Sequence, residues 1–272
     1  MSEAEQLIST WTEVGGLRMH ARVASATAPG LPIVLVHGLV VSSRYMIPLA
    51  QLLARQAPVY APDLPGFGKS DHPTRPLDIA GLAGGLAGWM RASGIARAVL
   101  VGNSMGCQVI ADLARREPAL VDRAVLIGPT IDRRGRNVLE QVRRLVAVAP
   151  YENPSLAGVQ VRDIWSAGLR ETLATTRYAI ADRIETKLPG LPMPVLVVSG
   201  SRDRIAPPRW AAQLASLLPR GQLHILAGGG HALNYSAPKQ LLSIVAPFLC
   251  QQLETWVEDG YTELCTSGAA AG

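Results

Sequence analysis

The chain has 272 residues, room for one large domain or for one domain carrying an insertion. Its 48% hydrophobic and 17% charged residues exclude a disordered, collagenous or coiled-coil protein and supply material for a buried core. The net charge of +5 is almost wholly arginine, is scattered, and accompanies no nucleic-acid-binding module, so nucleic acid is not an expected partner.

In chain order, Trp11 to Val14, the turn Gly15-Gly16 and Leu17 to Val23 predict a hairpin. IVLVH (Ile33 to His37) is a short continuous apolar run, the pattern of a strand covered on both faces. Ser42 to Arg55 has helical periodicity, with Ser42 or Ser43 placed to cap it. The alternation then repeats. PVYAPD ends at Asp63, a glycine-interrupted helix runs from about Asp78 to Ser93, and AVLVGN ends at Asn103. A helix follows from Met105 to Arg116, and AVLIGP ends at Pro129. Strands alternating with helices of about 10 to 15 residues predict βαβ crossovers and a parallel sheet.

Residues 130–190 break this rhythm. They carry arginine-rich helical patterns (NVLEQVRRLVAVA and DIWSAGLRETLATTRYAIADRIETK) without a convincing strand, over a length no ordinary connection needs. A helical insertion between two strands of one sheet is expected. PVLVVSGSRD then resumes the sheet, WAAQLASLL predicts a helix, QLHILAG a last strand, and a final helix runs from about Pro238 to Val257. The core domain is thus expected over 10–129 and 191–257, with a disordered tail at 258–272.

The abrupt change from AVLV to a helix passes through GNSMG, where Ser104 stands between Gly102 and Gly106. A serine hydroxyl is a poor nucleophile unless a base takes its proton and its position exposes the oxygen. A G-x-S-x-G turn from strand to helix supplies the exposure. The helix N-terminus sets the Met105 N–H beside the serine, where a developing oxyanion would be held. His37-Gly38, at the end of an earlier strand, brings the Leu39 N–H within reach as a second donor. Asp203 follows PVLVVSGSR and points an acid at the carboxyl edge of the sheet; Asp132, after the previous strand, is its rival. Of the five histidines, His20 falls in the hairpin, His37 in the glycine turn, His72 in SDHP and His224 within a strand, where packing is expected. His231 alone follows the last strand, in AGGGHALNYSAP. Ser104, Asp203 and His231 therefore stand in the order nucleophile, acid, base, with His231 to deprotonate Ser104 and Asp203 to fix the imidazole.

VLVHG (Val34 to Gly38), DLPGFGKSD (Asp63 to Asp71), VGNSMG (Val101 to Gly106), VLVVSGSRDRIAP (Val195 to Pro207) and GGGHALNYSAP (Gly228 to Pro238) together resemble the α/β-hydrolase fold superfamily. The likeness is to the group with a helical cap inserted after the sixth strand, and it runs from about residue 11 to 250. It implies an α/β fold with a mostly parallel eight-stranded sheet flanked by helices, a cap at 130–190, catalytic Ser104, Asp203 and His231, and an oxyanion hole at Leu39 and Met105. A serine in the elbow excludes the haloalkane dehalogenases and soluble epoxide hydrolases of this fold, which need an aspartate there. The chain is similar to carbon–carbon hydrolases of meta-cleavage products around GNSMG, yet Ala232 stands where they typically carry an aromatic residue after the histidine. GNSMGCQ also departs from the commoner GNSMGG and puts Cys107 in the elbow helix, as a small packing residue.

The expected activity is cofactor-independent hydrolysis of a carboxylic ester or related acyl compound through an acyl-enzyme at Ser104. No metal or organic cofactor is implied. Val138, Leu139, Val142, Leu145, Val146, Trp165 and Leu169 suggest that the cap roofs a pocket for a hydrophobic acyl or alcohol group. Arg177 and Arg183 are surface residues in this reading; in the alternative, a carbon–carbon hydrolase, one would hold a substrate carboxylate. An acyl transferase and a catalytically slow small-molecule receptor are further alternatives. The group Arg133, Arg134, Arg136, Arg143 and Arg144 reads as a solvated helix face. Cys107, Cys250 and Cys265 lack metal or redox spacing and suit a reducing compartment. MSEAEQLIST lacks the marks of a signal peptide, and no apolar run reaches the length of a membrane span. A cytoplasmic protein with a small-molecule substrate and no membrane partner is expected, as a monomer or a homodimer.

Overall fold

The amino-terminal hairpin is β1 (Ile8–Val14) and β2 (Leu17–Ala24), joined through Gly15 and Gly16 at φ +56° and +81°, angles that favour glycine. The computed structural model describes residues 7–24 and 30–250. Strand and helix then alternate through β3 (Ile33–Val36), α1 (Ile47–Leu53), β4 (Val59–Pro62), α2 (Ile79–Ala92), β5 (Ala98–Asn103), α3 (Met105–Arg116) and β6 (Val121–Ile127). Between β6 and the next strand lie α4 (Val138–Val148) and α5 (Ser155–Ala181), the latter broken at Gly168. The chain continues as β7 (Val195–Gly200), α6 (Pro208–Ser216), β8 (Gly221–Leu226), α7 (Leu233–Ser236) and α8 (Pro238–Cys250).

The eight strands form one sheet in the order β1-β2-β4-β3-β5-β6-β7-β8. β2 is antiparallel to β1 and β4, and every other pairing is parallel, as expected from the alternation in the sequence. Every residue of β3, β5, β6 and β7 is buried, because helices cover both faces. Alternate residues of one strand serve opposite layers. Leu100 joins Leu86, Trp89, Ile110 and Trp210 on one side, while Val99 and Val101 join Leu49, Leu53, Leu241 and Phe248 on the other.

Four expectations shift. β6 begins at Val121, ahead of the apolar run, because Arg123 donates to Asp122 at 2.8 Å and to the Phe248 carbonyl at 2.8 Å, so both charges are buried as a pair. The helix expected from Ser42 divides into a 3₁₀ turn, Ser43–Met46, and α1. Pro48 lacks the N–H that would continue an α-helical ladder back to Arg44. His224 is exposed rather than packed, since β8 is the edge of the sheet among the described residues and pairs there with β7. The arginine group is largely ion-paired: Arg136 bonds Glu185 at 2.7 Å, and Arg144, 7% exposed, bonds Glu140 at 2.7 Å and Asp132 at 3.1 Å. The expected extension of the last helix to Val257, the tail at 258–272 and Cys265 lie outside the described residues.

DLPGFGKSD folds around its first residue. Asp63 is buried; its Oδ1 accepts from the Ser43 N–H (2.6 Å), and its Oδ2 accepts from the Lys69 N–H (2.9 Å) and His20 Nδ1 (2.8 Å). A Cβ on Gly68 would fall 2.2 Å from the same carboxylate, which is why glycine stands there. Burial opposes ionisation of Asp63, yet the His20 and backbone hydrogen bonds outweigh it and hold the pKa below the ordinary aspartate value. Asp63→Asn should therefore cost about 3 kcal/mol or more at neutral pH. A depressed carboxylate stabilises above its unfolded pKa and loses that effect as pH falls through its folded pKa. Thermal melts of the two proteins should differ most near neutrality and converge in acid.

Candidate active site

β5 ends at Asn103 and α3 begins at Met105, so Ser104 alone makes the turn, at φ 56° and ψ −120°. Few non-glycine residues occupy that region. The surrounding hydrogen bonds hold it there. The Ser104 N–H donates to the Ile127 carbonyl at 2.9 Å, and the Ser104 carbonyl accepts from the Cys107 N–H at 3.0 Å. The glycines are required by contact. A Cβ on Gly106 would lie 2.3 Å from the Val36 carbonyl oxygen, and one on Gly102 would lie 2.6 Å from Ile110 Cδ1. Cys107 is fully buried, its thiol donating to the Gly102 carbonyl at 3.3 Å, and burial pushes its pKa up. It packs and does not present a thiolate.

Asp203, 2% exposed, accepts at Oδ1 from the N–H groups of Ile205 (2.8 Å) and Ala206 (2.9 Å), and at Oδ2 from His231 Nδ1 (2.8 Å). A carboxylate only accepts, so Nδ1 carries the proton and Nε2 keeps its lone pair. Gly128, at φ +52°, passes directly behind the pair; a Cβ there would lie 2.9 Å from His231 Nδ1 and 3.0 Å from Asp203 Oδ2. Burial disfavours the imidazolium, but the charge and hydrogen bond of Asp203, and then the charge of Glu152, hold the His231 pKa above the ordinary histidine value.

Ser104, Met105, Leu39 and His231 line one cavity of about 430 Å³. The residues of the 130–190 segment complete it, among them Val138, Val142, Leu145, Leu156, Leu173 and Ile180. Leu139, Val146, Trp165 and Leu169, expected in the pocket, are instead 69–89% exposed and outside the lining, because they occupy the outer sides of α4 and α5. No arginine or lysine is among the described lining residues, and Arg177 and Arg183 are exposed. The rival acid Asp132 is occupied by Arg144 (3.1 Å) and Arg209 (2.7 Å).

The other histidines have separate work. His37 is fully buried; Nε2 accepts from the Leu64 N–H at 3.0 Å, so Nδ1 donates to the Gly38 carbonyl at 2.8 Å. Burial pushes its pKa down, which keeps it neutral and in that tautomer. His20 lies between Asp63 and the Ser9 hydroxyl (2.9 Å), a second Ser–His–Asp succession. Ser9 lies within the strand β1 and not at a turn from strand to helix, so that succession lacks the elbow. His72 is exposed. Among the described residues, no group of three or more His, Cys, Asp or Glu side chains could hold a metal ion.

Three participants were not foreseen. Asn103 donates through Nδ2 to the His231 carbonyl (3.0 Å) and the Ile127 carbonyl (3.2 Å), and accepts at Oδ1 from Tyr45 Oη–H (3.0 Å). It was visible in the GNSMG motif, as an unassigned position. Gly128, at the end of a strand, gave a weak signal. Glu152, which accepts from the His231 N–H, stands 79 residues away and gave none.

A model of the alpha/beta hydrolase family matches residues 33–244, more than half of the chain. The chain belongs to the alpha/beta hydrolase family. It is 28% identical to a 2-hydroxymuconate semialdehyde hydrolase of Pseudomonas sp. strain CF600, over 82% of this chain and 88% of that one. It is 29% identical to a pimeloyl-[acyl-carrier protein] methyl ester esterase of Stenotrophomonas maltophilia, over 76% and 88% respectively. A thermophilic esterase from Thermogutta terrifontis shares the fold at a TM-score of 0.76 and 21% identity, over 90% of this chain and 98% of the other. In this alpha/beta hydrolase the elbow tolerates no added carbon at Gly106, whose neighbours are backbone atoms. Gly106→Ala should lower stability by about 2–3 kcal/mol, read as a fall in Tm. An unchanged Tm would mean that α3 can move away from β3 at no cost.

Proposed function

We propose that this alpha/beta hydrolase is a cofactor-independent serine hydrolase that cleaves a carboxylic ester with a neutral, apolar acyl or alcohol group. The observation that carries the reading is His231, oriented by the buried Asp203 and lining one cavity with a strained Ser104. His231 Nε2 takes the Ser104 proton as Oγ attacks the carbonyl carbon. The Leu39 and Met105 N–H groups stabilise the resulting oxyanion. Collapse expels the alcohol, which receives the proton from His231. Water, deprotonated by the same nitrogen, then attacks the acyl-enzyme, and Ser104 recovers its proton as the acid leaves. The 130–190 segment acts as a cap that limits bulk water and grips the apolar part of the substrate.

The carbon–carbon alternative draws on the semialdehyde hydrolase relative. A dienoate substrate carries a carboxylate, which a buried site must pair with a cation. The lining offers none among the described residues, and its carboxylate, Glu152, would repel the anion. That contrast favours a neutral ester.

Ser104→Ala should abolish both turnover of short p-nitrophenyl esters and covalent labelling by a fluorophosphonate, with the circular dichroism spectrum unchanged. Undiminished labelling would remove Ser104 as the nucleophile. For the wild-type enzyme, kcat/KM should rise with pH through a pKa above the ordinary histidine value, since only the neutral imidazole can accept a proton. A meta-cleavage dienoate hydrolysed faster than the esters would reverse the choice of substrate.

A further inference from the structure

The AGGGH approach to His231 has little stiffness of its own, because Gly228, Gly229 and Gly230 restrict the backbone less than any other residues. The loop is held from outside. On one side Asn103 of β5 donates to the His231 carbonyl at 3.0 Å. On the other, Glu152 reaches in from the joint between α4 and α5. Its Oε1 accepts from the N–H groups of His231 (2.5 Å) and Ala232 (2.9 Å), and its Oε2 accepts from the Ser236 hydroxyl (2.6 Å). A Cβ on Gly230 would lie 2.3 Å from Glu152 Oε1, so the loop leaves room for the carboxylate. Two further bonds stitch the same surfaces together: the Asn153 N–H donates to Ser236 Oγ at 2.9 Å, and Ser155 Oγ and Tyr235 Oη are 2.8 Å apart. None of the described ion pairs holds Glu152 away from this task.

We propose that Glu152 is a positioning residue that latches the His231 loop to the 130–190 segment, so that the base is in place only while that segment is seated on the core. The proposal rests on the reading of His231 as the general base. The charged and titratable groups facing His231 are Asp203 from the loop after β7, Glu152 from the joint, and the Tyr45 phenol, which burial keeps neutral. Glu152 thus has two separable effects: its oxygens fix the loop, and its charge favours the imidazolium.

Glu152→Ala and Glu152→Gln separate them. Glu152→Ala should lower kcat/KM for a p-nitrophenyl ester by about 10²-fold, the size of effect that small misplacement of a catalytic group produces. Glu152→Gln keeps an acceptor oxygen for the two backbone N–H groups and should recover most of that loss. Both should move the acidic limb of the kcat/KM profile to lower pH, because an anion that favours the imidazolium is gone. A Glu152 carboxylate that does not sit against the His231 loop would leave the limb where it is. Glu152→Ala with wild-type kcat/KM, or an unmoved limb in Glu152→Gln, would overturn the latch; if Glu152→Ala does not fold, the Glu152→Gln limb decides. Fluorophosphonate labelling distinguishes the two levels. Labelling that persists in Ser104→Ala defeats the serine-hydrolase reading itself. Labelling lost in Ser104→Ala but at the wild-type rate in Glu152→Ala defeats the latch alone.

Discussion

The carboxyl edge of the sheet is organised by one close approach, that of the first turn of α3 to the end of β3. The Val36 carbonyl occupies the space a side chain at position 106 would need, so helix and strand meet backbone to backbone. That contact forces the chain to turn within a single residue, and the φ of 56° at Ser104 is the result. Strain of this kind costs of the order of 1–3 kcal/mol and persists only where neighbours over-determine it. Here the neighbours are the Ile127 carbonyl on β6 and the Cys107 N–H on α3. The same proximity brings the Gly38 turn against the serine, with 3.2 Å between Ser104 Cβ and the Cβ that Gly38 lacks.

Electrostatics at the site are unusual in their asymmetry. One imidazole faces carboxylates on two different parts of the chain, and no described lining residue brings a balancing cation. Asp203, although buried, has its Oδ1 on two backbone N–H groups and its Oδ2 on His231. Glu152 likewise accepts from two backbone N–H groups, those of His231 and Ala232. His37, close by in sequence to the glycine turn, is kept neutral by burial and by a donor at Nε2. The two histidines thus have opposite pKa tendencies: at His231 the carboxylates of Asp203 and Glu152 overcome burial, whereas at His37 burial outweighs the charge of Asp63.

The sheet was legible from sequence because parallel strands buried on both faces write themselves as unbroken Val, Ile and Leu runs, as at Ile33–Val36 and Val195–Gly200. The β6 start was not, since Asp122 and Arg123 look like loop residues until their pairing is known. Of the site, Ser104, Asp203 and His231 could be picked out because each follows a strand. Their catalytic roles rest on the proposal. The 130–190 segment misled where amphipathic helices usually do: period and composition tell which residues share a side, but not which side meets the core. Hence Val138, Val142 and Leu145 line the cavity while Leu139, Val146, Trp165 and Leu169 do not. Glu152 was hidden because its partners are backbone amides, which every residue possesses.

Val138, Val142, Leu145 and Leu173 line the cavity and are nevertheless 42–51% exposed, which makes them its doorway. Leu139 and Val146 continue the same greasy ground outside it. A hydrocarbon tail too long for the interior would therefore not be thrust into bare water at the threshold. It could lie along the outer helix instead, and the penalty for each extra methylene would stay small. Under the proposed ester hydrolysis, chain length would be graded by the doorstep rather than cut off by the back wall.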